Sequence, residues 1–181
     1  MNIPKKIDIG CGRHKKKGFY GIDKFYFEGV DKVCDIDKGL SLKDNTIEEV
    51  YTSHFLEHVD NLEFVFNEIT RVCKNNAKII IRVPHFSGRS AFFEFHKCFF
   101  RYGSFSDFEG RDNNMIPGQN IKIKITKRKL IFLRKPYLPL NGIIEFFINR
   151  NIRLITLYEE TFLRNLFPAF EMYFEMKVVK K

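Results

Sequence analysis

Short apolar runs that end on glycine or an acid dominate the first third of the chain. Ile7 and Ile9 lead into Gly10-Cys11-Gly12, and Phe19, Tyr20 and Ile22 lead into Asp23. Both read as strands, over residues 6–10 and 19–23. Only eight residues, Cys11 to Gly18, join them. A parallel crossover through a helix takes a dozen or more, so the connection is a bare loop or about one helical turn, with Lys15, Lys16 and Lys17 exposed. Residues 32–35 predict a third strand and 49–55 a fourth. The period then lengthens. Leu62, Val65, Phe66, Ile69, Val72 and Cys73 recur at three- and four-residue spacing, which predicts a helix over 60–74. Asp60 with Glu63 forms a capping-box-like start, and Asn75-Asn76 is the expected stop. The continuous apolar centre of 77–83 predicts a fifth strand buried on both faces, ended by Pro84.

The second half changes character. Residues 87–108 are rich in Phe and 111–118 are loop-like. Residues 121–126 alternate strictly, as a half-exposed strand does. Residues 140–167 are apolar and helical, in two pieces meeting near 149–151. Alternation returns over 170–178 as a closing strand. Strands alternating with a helix and closed by an antiparallel pair predict an α/β, Rossmann-like open sheet, mostly parallel, with a shortened first crossover and one core. One domain over 1–181 is expected, with 1–86 as the cofactor-binding half and 87–181 supplying substrate-side and closing elements.

Composition narrows this picture slightly. The chain has 181 residues and a net charge of +9, which suits an anionic partner or merely solubility. Four cysteines lie far apart with no Cys-x-x-Cys pair, so no metal site is expected. The first residues, Met-Asn-Ile-Pro-Lys-Lys, carry no secretory pattern, and no apolar run approaches a membrane span. A cytoplasmic location with reduced thiols is the expectation.

The opening strand, glycine turn, strand and acid suit a nucleoside cofactor. Glycines let backbone approach the ligand, and an acid at the next strand end can hold ribose hydroxyls. Five passages in order then resemble the class I S-adenosylmethionine-dependent methyltransferases, most of all the compact subgroup related to the type 11 methyltransferase domain. They are Ile7-Asp8-Ile9-Gly10-Cys11-Gly12; Gly21-Ile22-Asp23; Val33-Cys34-Asp35-Ile36; Ser53-His54-Phe55-Leu56-Glu57-His58-Val59; and Glu68 to Lys74 followed by Ile79 to His85. The resemblance implies a seven-stranded sheet with one antiparallel strand, and S-adenosyl-L-methionine as cofactor. It implies cofactor contacts from Asp8, Gly10, Cys11, Gly12, Asp23, Asp35, Ile36 and Ser53. Asp23 would hold both ribose hydroxyls, Asp35 (or its rival Asp37) the adenine amino group, and Asp8 the methionine amine. Three positions depart from the family pattern: Arg13 or His14 replaces a usual third glycine, the first crossover helix is nearly absent, and Asn75-Asn76 replaces Gly-Gly.

Methyl transfer needs two reactants in line, and an alcohol nucleophile also benefits from a base. His54 and His58 are the catalytic candidates, with Glu57 either solvated or paired with histidine and His58 alternatively capping or bracing the next helix. His85 and His96, after the fifth strand, are substrate-side candidates. The resemblance leans toward O-methylation of a small molecule or glycan precursor. The alternatives are a nucleic-acid (RNA) methyltransferase, for which no Asn-Pro-Pro-Tyr-type motif follows the fourth strand, and a non-catalytic binding partner that kept the cofactor fold. Lys122, Lys124, Lys127, Arg128, Lys129, Arg134 and Lys135 form a basic stretch. It reads either as a docking patch for an anionic surface or as the solvated face of an edge strand.

Overall fold

The computed structural model describes residues 4–109, 123–133 and 139–180. Lys122, Arg134 and Lys135 of the basic stretch, the loop expected at 111–118 and the first two residues of the alternating run lie outside the described residues. Seven strands, β1 (Lys6–Ile9), β2 (Tyr20–Asp23), β3 (Lys32–Val33), β4 (Ile47–Ser53), β5 (Cys73–Pro84), β6 (Ile123–Ile131) and β7 (Glu171–Val178), form one sheet in the order β3-β2-β1-β4-β5-β7-β6. The first five pair in parallel; β7 runs antiparallel between β5 and β6. The expected fold class is therefore observed. The chain builds outward from β1 through β2 to β3, then restarts on the other side of β1 with β4. The crevice between β1 and β4 is where ligands bind in such sheets, at the carboxyl ends of the strands.

No helix intervenes between β1 and β2. Lys17 of that loop is exposed as expected, but Lys15 and Lys16 are half-buried. Lys15 pairs with Asp31 at 2.7 Å, and Lys16 lies over the rings of Phe19 and Tyr51. Helix α1 (Leu62–Val72) buries Val65, Phe66, Ile69 and Val72. Its cap is Asn61, whose Oδ1 accepts from the Phe64 N–H at 3.0 Å. Asp60 instead donates its backbone N–H to Asp37 and pairs its carboxylate with Lys97. The expected stop is also displaced. Fully buried Cys73 already pairs with Ile47 in the sheet, which turns the backbone extended two residues before Asn75. Asn75 and Asn76 form an exposed excursion inside β5, with Asn76 at φ +63°.

Three helices, α2 (Asn141–Ile148), α3 (Ile152–Glu160) and α4 (Leu163–Leu166), lead from β6 to β7. The first two break where expected, at Asn149–Asn151, because Asn151 caps α3 through the Leu154 N–H. The Phe-rich stretch divides. Phe100 and Phe105 pack in the core with Phe66, Phe108 and, edge-on, Phe174, whereas Phe92, Phe93, Phe95 and Phe99 are exposed. No described helix is long and apolar enough to cross a membrane.

Candidate active site

A cavity of about 640 Å³ opens at the carboxyl ends of β1, β2, β3 and β4. Of the expected site residues it is lined by Gly10, Asp23, Asp35, Ile36, His54 and His58. Asp8, Cys11, Gly12, Ser53, His85 and His96 do not line it.

The glycine turn is built over the end of β2. Gly10 donates its N–H to the Ile22 carbonyl at 2.8 Å, and the Gly12 N–H reaches Asp23 Oδ2 at 2.8 Å. Gly10 has φ +69°, and a Cβ there would come to 2.4 Å of the Phe55 ring. Glycine is required twice over, once for the backbone and once to seat Phe55. Asp23 Oδ1 accepts the Phe25 N–H at 2.9 Å. A carboxylate accepts about four hydrogen bonds, so two of its sites remain for a ligand. Asp35 faces Lys24 at 3.1 Å and lines the same cavity, as does its rival Asp37. Ile22, Ile36, Phe25 and Phe27 supply apolar walls between the two acids. That donor set fits a nucleoside: hydroxyls on one carboxylate, a flat apolar base beside the other.

Asp8 is buried beneath the turn and accepts the Lys16 N–H at 2.7 Å. Burial first, opposed by that hydrogen bond, pushes its pKa above the usual carboxylate range. Its visible work is holding the loop. Cys11 is buried against Gly21, and burial pushes its thiol up to about 11. Ser53 sits within β4, paired with Arg82. His85 is a core histidine. It is fully buried, with Nδ1 2.8 Å from Ser87 Oγ and Nε2 2.9 Å from Glu159, and so ties the end of β5 to α3, away from the cavity. His58 does not cap α1. Its Nδ1 lies 3.2 Å from the Phe95 carbonyl and its ring meets His96 edge-on at 4.6 Å.

His54 turns out of β4 with φ +52°, pinned by its N–H to the Arg82 carbonyl at 2.8 Å. Its Nε2 is 3.1 Å from Glu171 and its Nδ1 is 3.5 Å from Glu57. The Glu171 hydrogen bond first, then Glu57, raise the His54 pKa to about 9, against the opposing effect of burial. Glu171 is itself buried. Burial alone would raise its pKa, but His54 and a contact from Arg82 outweigh this and hold it below the ordinary value. Both carboxylates therefore favour the imidazolium form of His54, which has no lone pair to accept a proton, over the neutral form that a base needs.

Three participants, Glu171, Arg82 and Phe55, were not expected in these roles, and one expectation had two branches. Glu171 looks like one exposed member of an alternating strand, yet is buried at its first position. Of the two expectations for Glu57, the pairing with histidine is the one observed: it is buried, 3.5 Å from His54. Arg82, the lone charge in the Ile79–Val83 run, was the available signal for a buried acid nearby. Phe55 closes over Gly10. Glu94, Phe95 and Lys97 of the Phe-rich stretch also line the cavity, while Lys15, Lys16 and Lys17 do not.

Residues 21–81 match a family model described as a methyltransferase domain. No curated protein sequence matches the chain. Among solved structures, a SAM-dependent methyltransferase from Archaeoglobus fulgidus is 20% identical, with 97% of this chain and 86% of that one covered, at a TM-score of 0.56. A SAM-dependent methyltransferase from Thermotoga maritima is 13% identical over 99% of this chain and 84% of its own, at 0.58. Phosphoethanolamine N-methyltransferase 2 from Haemonchus contortus, solved with S-adenosyl-L-methionine, is 13% identical over 100% of this chain and 50% of its own, at 0.53. At these identities the structural likeness is one of fold, and the family match is confined to the stretch from β2 into β5. Residues 21–81 thus carry the pattern of a methyltransferase domain, and the chain as a whole has the fold of the SAM-dependent methyltransferases.

Proposed function

We propose that the enzyme methylates an oxygen of a small molecule or glycan precursor, with the cofactor lying in the cavity between Asp23 and Asp35. The observation that carries the cofactor pose is the pair of carboxylates on one cavity of about 640 Å³, a size within the usual range for such sites. Asp23 would take the ribose hydroxyls on its two remaining acceptor sites. Asp35, flanked by Ile36, would meet the adenine amino group. Gly10 and Phe55 would border the methionine end. When bound, the cofactor supplies an electrophilic sulfonium methyl group. The protein's part is to place an acceptor oxygen in line with it. His54, fixed by Glu171 and Glu57 and charged at neutral pH, serves as a cationic wall for an electron-rich acceptor rather than as a base.

The basic stretch supports the small-acceptor reading over nucleic acid. Strand β6 is a sheet edge, and three of its cations are engaged by acids: Lys127 with Glu175, Arg128 with Glu109 and Lys129 with Glu145. Calorimetry with S-adenosylhomocysteine tests the pose. Binding is expected, and Asp23→Ala should weaken it at least about tenfold, the loss of a hydrogen-bonded charged group. An Asp23→Ala protein that is folded and binds as tightly as the parent would refute the pose. A radiolabelled-methyl assay across small-molecule, glycan and RNA fractions tests the acceptor; label confined to RNA would overturn it.

A further inference from the structure

Glu57 presents an anomaly that the imidazolium beside it does not resolve. Its side chain is 1% exposed, yet neither carboxylate oxygen has a hydrogen-bond partner. His54 approaches one oxygen at 3.5 Å as an ion pair without the alignment of a hydrogen bond, and nothing satisfies the other. Leaving a buried carboxylate so poorly matched is costly unless a cation completes it. Two imidazoles stand next to it. One ligand atom from each of Glu57, His58 and His96 lies within 4.8 Å of the other two.

The hydrogen bonds of the two histidines determine which nitrogen is free. His58 Nδ1 faces the Phe95 carbonyl at 3.2 Å, and His96 Nδ1 faces the Ala91 carbonyl at 3.3 Å. A carbonyl only accepts, so in each ring Nδ1 carries the proton and Nε2 keeps its lone pair. This arrangement, Nδ1–H on a backbone carbonyl and a bare Nε2, is the one metal-binding histidines characteristically adopt. The segment that brings His96 in is anchored at the same place: the Lys97 and Cys98 N–H groups donate to the Glu57 carbonyl at 2.7 and 3.2 Å.

We infer that Glu57, His58 and His96 form a binding site for a divalent transition-metal cation beside the cavity that His58 lines. Two imidazole nitrogens and one carboxylate oxygen suit Zn²⁺ and its neighbours Co²⁺ and Ni²⁺ rather than Mg²⁺ or Ca²⁺, which prefer all-oxygen shells. Ligand atoms around a tetrahedral Zn²⁺ lie about 3.3 Å apart, given Zn–N near 2.0 Å. The site therefore closes slightly on its ion, and exposed His58 is the member able to move. Three protein ligands leave a fourth position open, as in catalytic rather than structural zinc sites. His58 lines the cofactor cavity, so the open position faces it and would take water or an acceptor oxygen. Only this last assignment rests on the proposed function; the cation site stands without it.

The full chain, stripped with a chelator and dialysed, should bind one equivalent of Co²⁺ with the visible absorption of a nitrogen-ligated ion. Zn²⁺ should then displace it. His96→Ala should weaken Co²⁺ binding at least about tenfold, with circular dichroism and S-adenosylhomocysteine affinity unchanged, since His96 does not line the cavity. His58→Ala, at an exposed position, should repeat the loss with the same circular dichroism. Absence of stoichiometric Co²⁺ or Zn²⁺ binding by the parent protein would overturn the site, and so would binding that survives both substitutions in folded protein. Failure of S-adenosylhomocysteine binding would strike the cofactor pose alone, because the cobalt spectrum is read without it.

Discussion

At the scale of single residues, the site is governed by which charges are buried together. Asp23 and Gly10 were readable because their chemistry is local: an acid ending a strand and a glycine in a turn. Glu171 was not, because an alternating strand gives no warning that its first acid points inward; for Glu57 the pairing with histidine was one of two readings, and only the folded sheet decides its burial. The pairing of Glu171 with His54 makes a measurable claim. In chelator-treated protein the His54 imidazole should titrate near 9 by NMR, and Glu171→Gln should bring it down toward 6.5. The folded pKa is raised above the unfolded value. The interaction therefore contributes its full stability below about 6.5 and loses it as pH climbs through about 9. Thermal midpoints should fall across that window in the parent and much less in Glu171→Gln. Gly10→Ala is expected to be severe. It places a Cβ into Phe55 and a side chain at positive φ, costing about 1–2 kcal/mol for the backbone and about 1–3 kcal/mol for overpacking. Chemical denaturation would measure the sum.

At the scale of elements, hydrophobic periodicity located the strands and helices but not their ends. Residues 60–74 had two adjacent cap-competent side chains, Asp60 and Asn61, and only the reach of Asn61 Oδ1 to the Phe64 N–H decides between them. Denaturation should therefore show Asn61→Ala costing about 1 kcal/mol, the usual value of a cap. Asp60→Ala should leave the midpoint essentially unmoved, and the reverse order would reassign the cap. The C-terminal end was missed for a different reason. Helical spacing runs on through Cys73, but pairing with Ile47 claims that residue for β5. Long-range pairing overrides local periodicity there. The absent first crossover helix, by contrast, was legible from chain length alone, since eight residues cannot supply one.

At the scale of the whole molecule, one sheet gathers residues from both halves of the chain into one site: β1 to β4 provide the cavity, the Phe-rich stretch adds Phe95, and β7 adds Glu171. The four thiols report on the integrity of this assembly. Burial pushes Cys73 up to about 12 and Cys11 up to about 11, whereas Cys34 is half-buried near the cavity. In native protein Cys34 should react with a thiol reagent well before Cys73. Modification of Cys73 should accelerate only with denaturant, in step with global opening. Rapid Cys73 labelling under native conditions would mean that β5 opens independently of the rest.

The insertion of β7 between β5 and β6 has a consequence in time. During synthesis the five parallel strands, with their glycine turn and acids, emerge roughly 90 residues before β7. At about 5–20 residues per second the nascent chain spends several seconds with one side of β5 unpaired. That side belongs to a strand with a continuous apolar centre, Ile79 to Ile81, and an open apolar edge invites pairing with another chain. The chain is therefore most prone to aggregation while still on the ribosome, and slow translation through residues 85–170 would lengthen that exposure.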